Sequence, residues 1–355
     1  MILAVTLLLV QSGAAPKAQR PDAVRESVRL GDGVIVRWGA TPTLYVANPS
    51  AGVDAVALGT DSLLWHNGEA AIPLLARGGR MLALAHPSPA HNTGRLVFLA
   101  TDSGNIVADL PTLEVPGWGP LNYVGEGNKA WFALEGIAKN GHDFLRWRHR
   151  ERDLRGYTPP NPPRPVSGPE REDTGIVEVN LARATLSPTT EQLASEHLQT
   201  TRDAKGGYQW GPFETGGVRV TLAKVVNQRA ITLLMRRTRG GKALPDVVIA
   251  RPPWNSCDLE TSVDRRYVLG VYQIPGKQDP FLYDVTVYVA ATGTRVGHIV
   301  TDASPATFVV WHNQLLSYFP NRVTMVDLAS GRKRWDRSVR YLERYEPVPA
   351  GARPR

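Results

Sequence analysis

A short β-rich run, a turn of the form D/N-x-x-S/T-G and a second short run recur along this chain, and that repeat constrains the fold more than any other feature. The clearest copy is Val323 to Trp335, VTMVDLASGRKRW. Weaker copies span Val53 to Trp65 (VDAVALGTDSLLW), Leu96 to Val107 (LVFLATDSGNIV), Ile176 to Leu186 (IVEVNLARATL) and Val285 to Val296 (VTVYVAATGTRV). Each reads as a hairpin whose alternate residues face a core, with Gly, Asp or Asn supplying the backbone geometry of the turn. Trp65 and Val107 are 42 residues apart, and Val296 and Trp335 are 39 apart. Further strand-like runs lie between the copies: Arg80–Ala85, Ala130–Leu134, Val218–Val226, Ala230–Met235, Asp246–Ala250, Tyr267–Tyr272, Thr307–Trp311 and Gln314–Phe319. Many short strands at a period of ~40 residues imply a β-propeller. The expected fold is all-β: a single β-propeller of about seven four-stranded blades, with one long Pro/Arg-rich insertion.

Composition agrees with a turn-rich fold, since Gly (33) and Pro (28) make up about 17% of the 355 residues. Charged residues at 21% and hydrophobic ones at 42% exclude a wholly disordered chain. The single cysteine, Cys257, excludes a disulfide framework and a multi-cysteine metal site. It reads as a small buried hydrophobe rather than a nucleophile.

The N-terminus, MILAVTLLLVQSGAA, carries an apolar run from Ile2 to Val10, followed by small residues at Ser12 to Ala14. That run has the length of a signal peptide and is too short to cross a bilayer, although no Lys or Arg follows Met1. A buried first strand is the alternative. The domain reading is a signal peptide over 1–18, a propeller over 19–345 and a disordered basic tail over 346–355. An exposed insertion over 139–173 lies within one blade. No later run reaches the ~18 apolar residues of a membrane helix. The expected location is periplasmic or secreted, in a bacterium.

The net charge is +8. Basic residues concentrate after Arg332 and around Gly240 and Gly241, where Arg236, Arg237, Arg239 and Lys242 gather. These read either as contacts for anionic partners or as solvated surface. Helix is scarce. Ser187 as a cap and Pro188 at the first helical position make the stretch through TTEQLASEHL the one helical expectation. The insertion contains a run in which aromatic and basic residues alternate from Phe144 to Leu154, readable as a hairpin arm or a short helix. It also holds the proline-rich stretch Thr158 to Pro169, expected as an exposed polyproline-like loop.

The residues from Val326 to Trp335 resemble the repeat of pyrroloquinoline-quinone-like (PQQ-like) propellers, roughly A-x-D-x-x-T-G-x-x-x-W, and Leu58 to Trp65 is a degenerate second copy. Asp258 to Val271 resembles a strand entry of other bacterial propellers. The resemblance covers about a quarter of the chain. It implies tryptophans, Trp65 and Trp335, wedged between neighbouring blades. Catalytic members of the family need a larger propeller, a calcium site of acidic and amide residues and often adjacent cysteines. This chain has one cysteine and no such cluster, so the resemblance implies the propeller without the quinone, and no cofactor or metal.

No constellation with the spacing of a known catalytic motif is present. His86 and His91 lie in a Pro-rich turn without a third metal ligand, and Trp65-His66-Asn67 recurs as Trp311-His312-Asn313 without an evident chemical reason. Glu170, Glu172 and Asp173 sit in the insertion, where water exclusion and pKa tuning are difficult. No catalytic, cofactor-binding or metal residue is therefore assigned. The functional expectation is an exported, non-enzymatic scaffold or protein-binding module. Its partner is a protein or an acidic envelope component, and nucleic acid is not expected. The contact residues assigned are Phe144, Arg146, Trp147, Arg148, Arg150 and Tyr157, because aromatic and arginine side chains are enriched at interfaces. The alternative is an enzyme, either a polysaccharide lyase or hydrolase or a degenerate quinoprotein dehydrogenase, with its site in the central funnel.

Overall fold

A computed structural model describes residues 26–31, 33–85, 93–110, 113–114, 128–139, 141–153, 170–191, 198–202, 207–227, 230–252, 257–278, 281–302, 304–305, 307–319 and 321–340. Side chains are described for these except at 93–94, 113–114, 128–133, 148–153, 170–173, 276–278 and 281. The expected signal peptide, the basic tail, the Thr158 to Pro169 loop, His86 and His91 lie outside the described residues.

The described chain is all-β, without a helix, and folds into successive antiparallel meanders. The first sheet contains Ser27–Gly31, Val34–Arg37, Thr43–Ala47, Val53–Ala57 and Leu63–Asn67. The second contains Ala70–Arg77, Arg80–Ala85, Leu96–Ala100 and Ile106–Asp109. The third contains Asn128–Lys139, His142–Asp153, Glu170–Asn180 and Thr185–Pro188. The fourth runs through Thr200–Arg202, Tyr208–Thr215, Val218–Asn227 and Ala230–Arg239, the last also pairing Lys242–Ala243 and Val247–Ala250. The fifth contains Cys257–Thr261, Tyr267–Gln278, Phe281–Val289 and Arg295–Thr301. The sixth contains Thr307–Trp311, Gln314–Phe319, Arg322–Asp327 and Lys333–Ser338. Every repeat copy read from the sequence is the outer hairpin of one of these sheets.

Among the described residues, five pairs of sheets bury shared hydrophobic clusters, as stacked blades must when neither can cover its own faces. Ile35, Tyr45, Val53 and Ala55 of the first sheet pack on Met81, Ala83, Val97 and Leu99 of the second. Leu82, Leu84 and Phe98 of the second meet Leu145 and Val179 of the third. Val220, Leu222 and Leu233 of the fourth meet Leu259 and Val268 of the fifth. Val285, Val287 and Ile299 of the fifth meet Phe308 and Leu315 of the sixth. The sixth returns to the first, with Val309, Leu316, Val323 and Met325 packed on Leu30, Val34, Leu44 and Val46. The arrangement is propeller-like.

Two tryptophans hold equivalent positions in it. Trp65 is 8% exposed and Trp335 is 9% exposed. The Trp65 indole N–H donates to the Thr101 carbonyl of the second sheet at 3.0 Å. The Trp335 indole N–H donates to the Leu58 carbonyl of the first sheet at 3.2 Å. Each ends its sheet and reaches the next, so the wedge role expected from the repeat is present. Gly104 has φ +71°, and a Cβ there would lie 2.5 Å from the Trp65 ring, so both the turn and the indole require glycine. The Ser330–Gly331 turn has φ +68° at Gly331, and Asp327 Oδ1 accepts from the Ser330 N–H at 2.8 Å.

Six sheets of four or more strands occur among the described residues. Within the span 139–173, His142–Asp153 and Glu170–Asp173 belong to the third sheet, so the run from Phe144, readable as a hairpin arm or a short helix, is a hairpin strand as far as Asp153. One expectation is corrected. Ser187 and Pro188 do not start a helix. They end a strand in which Leu186 pairs Val179 and Pro188 pairs Val177, because covering the third sheet's edge outweighs the local capping signal; residues 192–197 lie outside the described residues. The two WHN tripeptides are not equivalent, since Trp65 lies on an outermost strand and Trp311 ends an innermost one, with His312 and Asn313 in its turn.

Candidate functional site

The first strands of four sheets, with a residue of the fifth, come together around one cavity. Ser27 to Gly31, Leu74 to Ala76, Glu135 to Ala138 and Thr307, with Val263 just after the fifth sheet's first strand, line a cavity of about 160 Å³. Hydrogen bonds hold its wall together: Ser27 Oγ donates to the Ala76 carbonyl, Thr307 Oγ to the Leu30 carbonyl, and the Val263 N–H to the Phe308 carbonyl at 3.1 Å. Gly136 permits the third sheet to approach, because a Cβ there would fall 2.0 Å from the Leu74 carbonyl oxygen.

One charged array faces this cavity. Arg29 Nη1 lies 3.0 Å from Glu135 Oε1. Arg146 donates to Glu135 Oε2 through Nη2 at 2.6 Å and through Nε at 3.1 Å. Glu135 and Arg146 are cross-strand partners on adjacent strands, so the hairpin itself brings them together. Both carboxylate oxygens are engaged by guanidinium donors. The array therefore braces the third sheet against the first and leaves no oxygen of Glu135 poised as a general base.

The other assigned contact residues divide. Phe144 is 5% exposed and belongs to the core, beside Leu145, which removes it from any contact surface. Trp147 is partly buried and faces its cross-strand partner Gly175, where a Cβ would lie 2.2 Å from the indole, so the ring covers its own sheet. Strand alternation sets Phe144 and Arg146 on one face and Trp147 on the other. Arg148 and Arg150 pair with Thr174 and Glu172, their side chains being outside the description, and Tyr157 lies outside the described residues. Arg146 is 23% exposed, and its guanidinium is engaged by Glu135.

The basic cluster at the Gly240–Gly241 turn is also partly consumed. Arg237 is buried and donates to the carbonyls of Pro245 at 3.1 Å and Ala291 at 3.4 Å, joining the fourth sheet to a turn of the fifth. Near the C-terminus, Arg337 donates to Asp61 Oδ1 at 3.0 Å and lies 3.6 Å from Asp54, fastening the sixth sheet to the first.

Glu260 is the most perturbed acid described. Burial, and secondarily the Asp258 charge, pushes its carboxyl up to about 7. Both residues sit on one face of the strand Cys257–Thr261, as their spacing of two requires. That D-x-E spacing in a strand was the available sequence signal for it, and it was missed. Among the described residues no group of three His, Cys, Asp or Glu residues could hold a metal ion. Cys257 is partly buried. Burial pushes its thiol up, against an opposing pull from Lys224, itself buried and donating to the Cys257 carbonyl at 3.1 Å.

No protein-family model and no curated protein sequence matches the chain. Among solved structures it is similar to a europium-containing methanol dehydrogenase, with 11% identity, a TM-score of 0.25, and coverage of 86% of this chain and 68% of that one. The AtxE2 isopeptidase gives 10% identity and a TM-score of 0.39, covering 89% of this chain and 50% of its own. A Mycobacterium tuberculosis puromycin-hydrolyzing peptidase gives 10% identity and a TM-score of 0.34, covering 93% and 54%. The chain spans about half the length of these two peptidases. Likeness at this level carries no conclusion about activity.

Proposed function

We propose that the protein is an exported, non-enzymatic binding module built on a single closed propeller of the PQQ-like kind. Its contact element is the far part of the third sheet's first three strands, and its partner is a protein or an acidic envelope component. The observation that carries this reading is a mismatch of strand lengths. The outermost strand Thr185–Pro188 pairs only as far as Val177, whereas the inner three continue together through the pairs Arg148 with Thr174, Arg150 with Glu172 and Asn128 with Asp153. Strands of 11 or 12 residues exceed what the blade's own pairing uses. The extension carries Arg148, Arg150, Arg152, Trp131 and Phe132 in its sequence, a composition suited to protein contact. Export rests on the apolar run from Ile2 to Val10.

Both oxygens of Glu135 are engaged by Arg29 and Arg146, which weighs against that carboxylate acting as a general base in the axial cavity. The test is a trimmed variant in which an Asn-Gly turn replaces residues 149–173, joining the cross-strand partners Arg148 and Thr174. The core residues Phe144 and Leu145 stay in place. The expected result is an unchanged thermal midpoint with loss of salt-sensitive capture of envelope components. Identical capture by the trimmed and intact proteins would overturn the assignment.

A further inference from the structure

Between the fourth and fifth sheets lies a recess of about 240 Å³ that the proposed contact element does not touch. Its shape follows from register. On one face of the fifth sheet, Gly270, Thr286 and His298 form a row, flanked by Tyr272 with Asp284 on one side and Tyr288 with Arg295 on the other. Ile249 of the fourth sheet presses onto Gly270, where a Cβ would lie 2.3 Å from its Cγ2. One step outward, the short side chain of Thr286 sits among larger neighbours and forms a floor. Tyr288 Oη donates to the Ile249 carbonyl at 3.3 Å and holds the two walls together.

The lining is mostly polar and carries excess positive charge. His298 Nε2 lies 2.8 Å from Asp284 Oδ2, and Asp284 is also hydrogen-bonded to Tyr272. Arg251 and Arg295 border the same space, and neither is ion-paired among the described residues. A ligand suited to this recess must accept from guanidinium groups, donate to Asp284 and present a ring or chain edge to tyrosine. The volume is below the roughly 300–1,000 Å³ of a drug-sized pocket, so the ligand is small.

We propose that this recess binds a small hydroxylated carboxylate of the sugar-acid class, its carboxylate held by Arg251 and Arg295 and its hydroxyls by Asp284 and Thr286. Two guanidiniums can grip a planar carboxylate through paired hydrogen bonds, and charge-assisted bonds of that kind exceed neutral ones in strength. Asp284, held in place by His298 and Tyr272, supplies the acceptor that a bare anion would not need.

The experiment is titration calorimetry of the full chain with glucuronate, glucose and glucose 6-phosphate. Glucuronate should bind at least about tenfold more tightly than glucose, since the uncharged sugar forgoes the charge-assisted bonds. The double variant Arg251→Gln/Arg295→Gln should weaken glucuronate at least about tenfold, with an unchanged melting temperature because both side chains are exposed. Asp284→Asn should weaken glucose and glucuronate alike. Equal affinity for glucose and glucuronate, no binding of either, or an unaffected double variant overturns the proposal. Tighter binding of glucose 6-phosphate overturns the carboxylate assignment in favour of phosphate.

Discussion

Replacing Trp335 by alanine tests whether the last sheet is held to the first by the indole. The side chain is 9% exposed and packs in the cluster that joins Val28, Leu30 and Leu58 to Val323 and Met325. A buried tryptophan removes about 150–250 Å² from water. At about 25 cal/mol per Å² this is roughly 4–6 kcal/mol, an upper bound because the unfolded chain already buries part of that area. Measured Trp→Ala losses of about 3–5 kcal/mol agree. The Leu58 carbonyl also loses its indole donor. Trp335→Ala should therefore lower stability by about 4 kcal/mol, whereas Trp335→Phe, which keeps a ring, should cost about 1–3 kcal/mol. The Trp65 site sharpens the comparison. Thr101 O accepts from Tyr45 Oη as well as from Trp65, so it stays satisfied when the indole N–H is lost. Trp65→Phe should then cost less than Trp335→Phe. Urea unfolding followed by far-UV circular dichroism reads each change as a midpoint shift at constant slope. A loss below about 1 kcal/mol for Trp335→Ala would refute the wedge role. Equal losses for the Phe and Ala variants would show that the hydrogen bond, not packing, dominates.

Glu260→Gln should change how stability depends on pH. The folded carboxyl is raised from 4.5 to about 7, so between those values the native state keeps a proton that the unfolded state has lost. Wild-type stability should fall as pH rises from 4.5 to about 7 and level off above, by at most about 3 kcal/mol. The Gln variant should lack that fall, and parallel curves for the two proteins from pH 4 to 8 would exclude the effect. Gly136→Ala should destabilise by about 1–3 kcal/mol in thermal unfolding, because the added Cβ meets the Leu74 backbone and has no flexible group to displace. An unchanged midpoint would mean that the third sheet can retreat without cost. Arg337→Met should cost about 1–2 kcal/mol in urea, since Asp54 keeps His66 and Asn48 as partners while Asp61 loses its guanidinium. A loss no larger than that of Arg334→Met, whose Asp327 contact is at the exposed surface, would remove the fastening role.

The local elements were legible because they rest on local chemistry. Alternation of apolar residues with an Asp, Ser and Gly turn specifies a hairpin wherever it occurs, and Val323 to Trp335 forms one with Gly331 at its turn. The inter-blade tryptophans were legible for the same reason, since the repeat places a large flat residue where one sheet ends. The run from Phe144 to Asp153 was legible only in part. It read as a hairpin arm or a short helix within an exposed insertion, and it is a hairpin strand, but which of its residues are buried depends on what lies on each side. The second sheet covers Leu145, while Phe144, on the opposite face of the strand, is buried as well. The hairpin sets Arg146 beside Glu135, but Arg29 joins them only because the fold brings residue 29 against residue 135. The recess bounded by Tyr272, Asp284, Tyr288 and Arg295 requires both the register of three strands and the approach of Ile249 from the preceding sheet. Local composition and alternation determine the hairpins. Which side chains converge depends on contacts between residues far apart in sequence, and only the packed structure sets those.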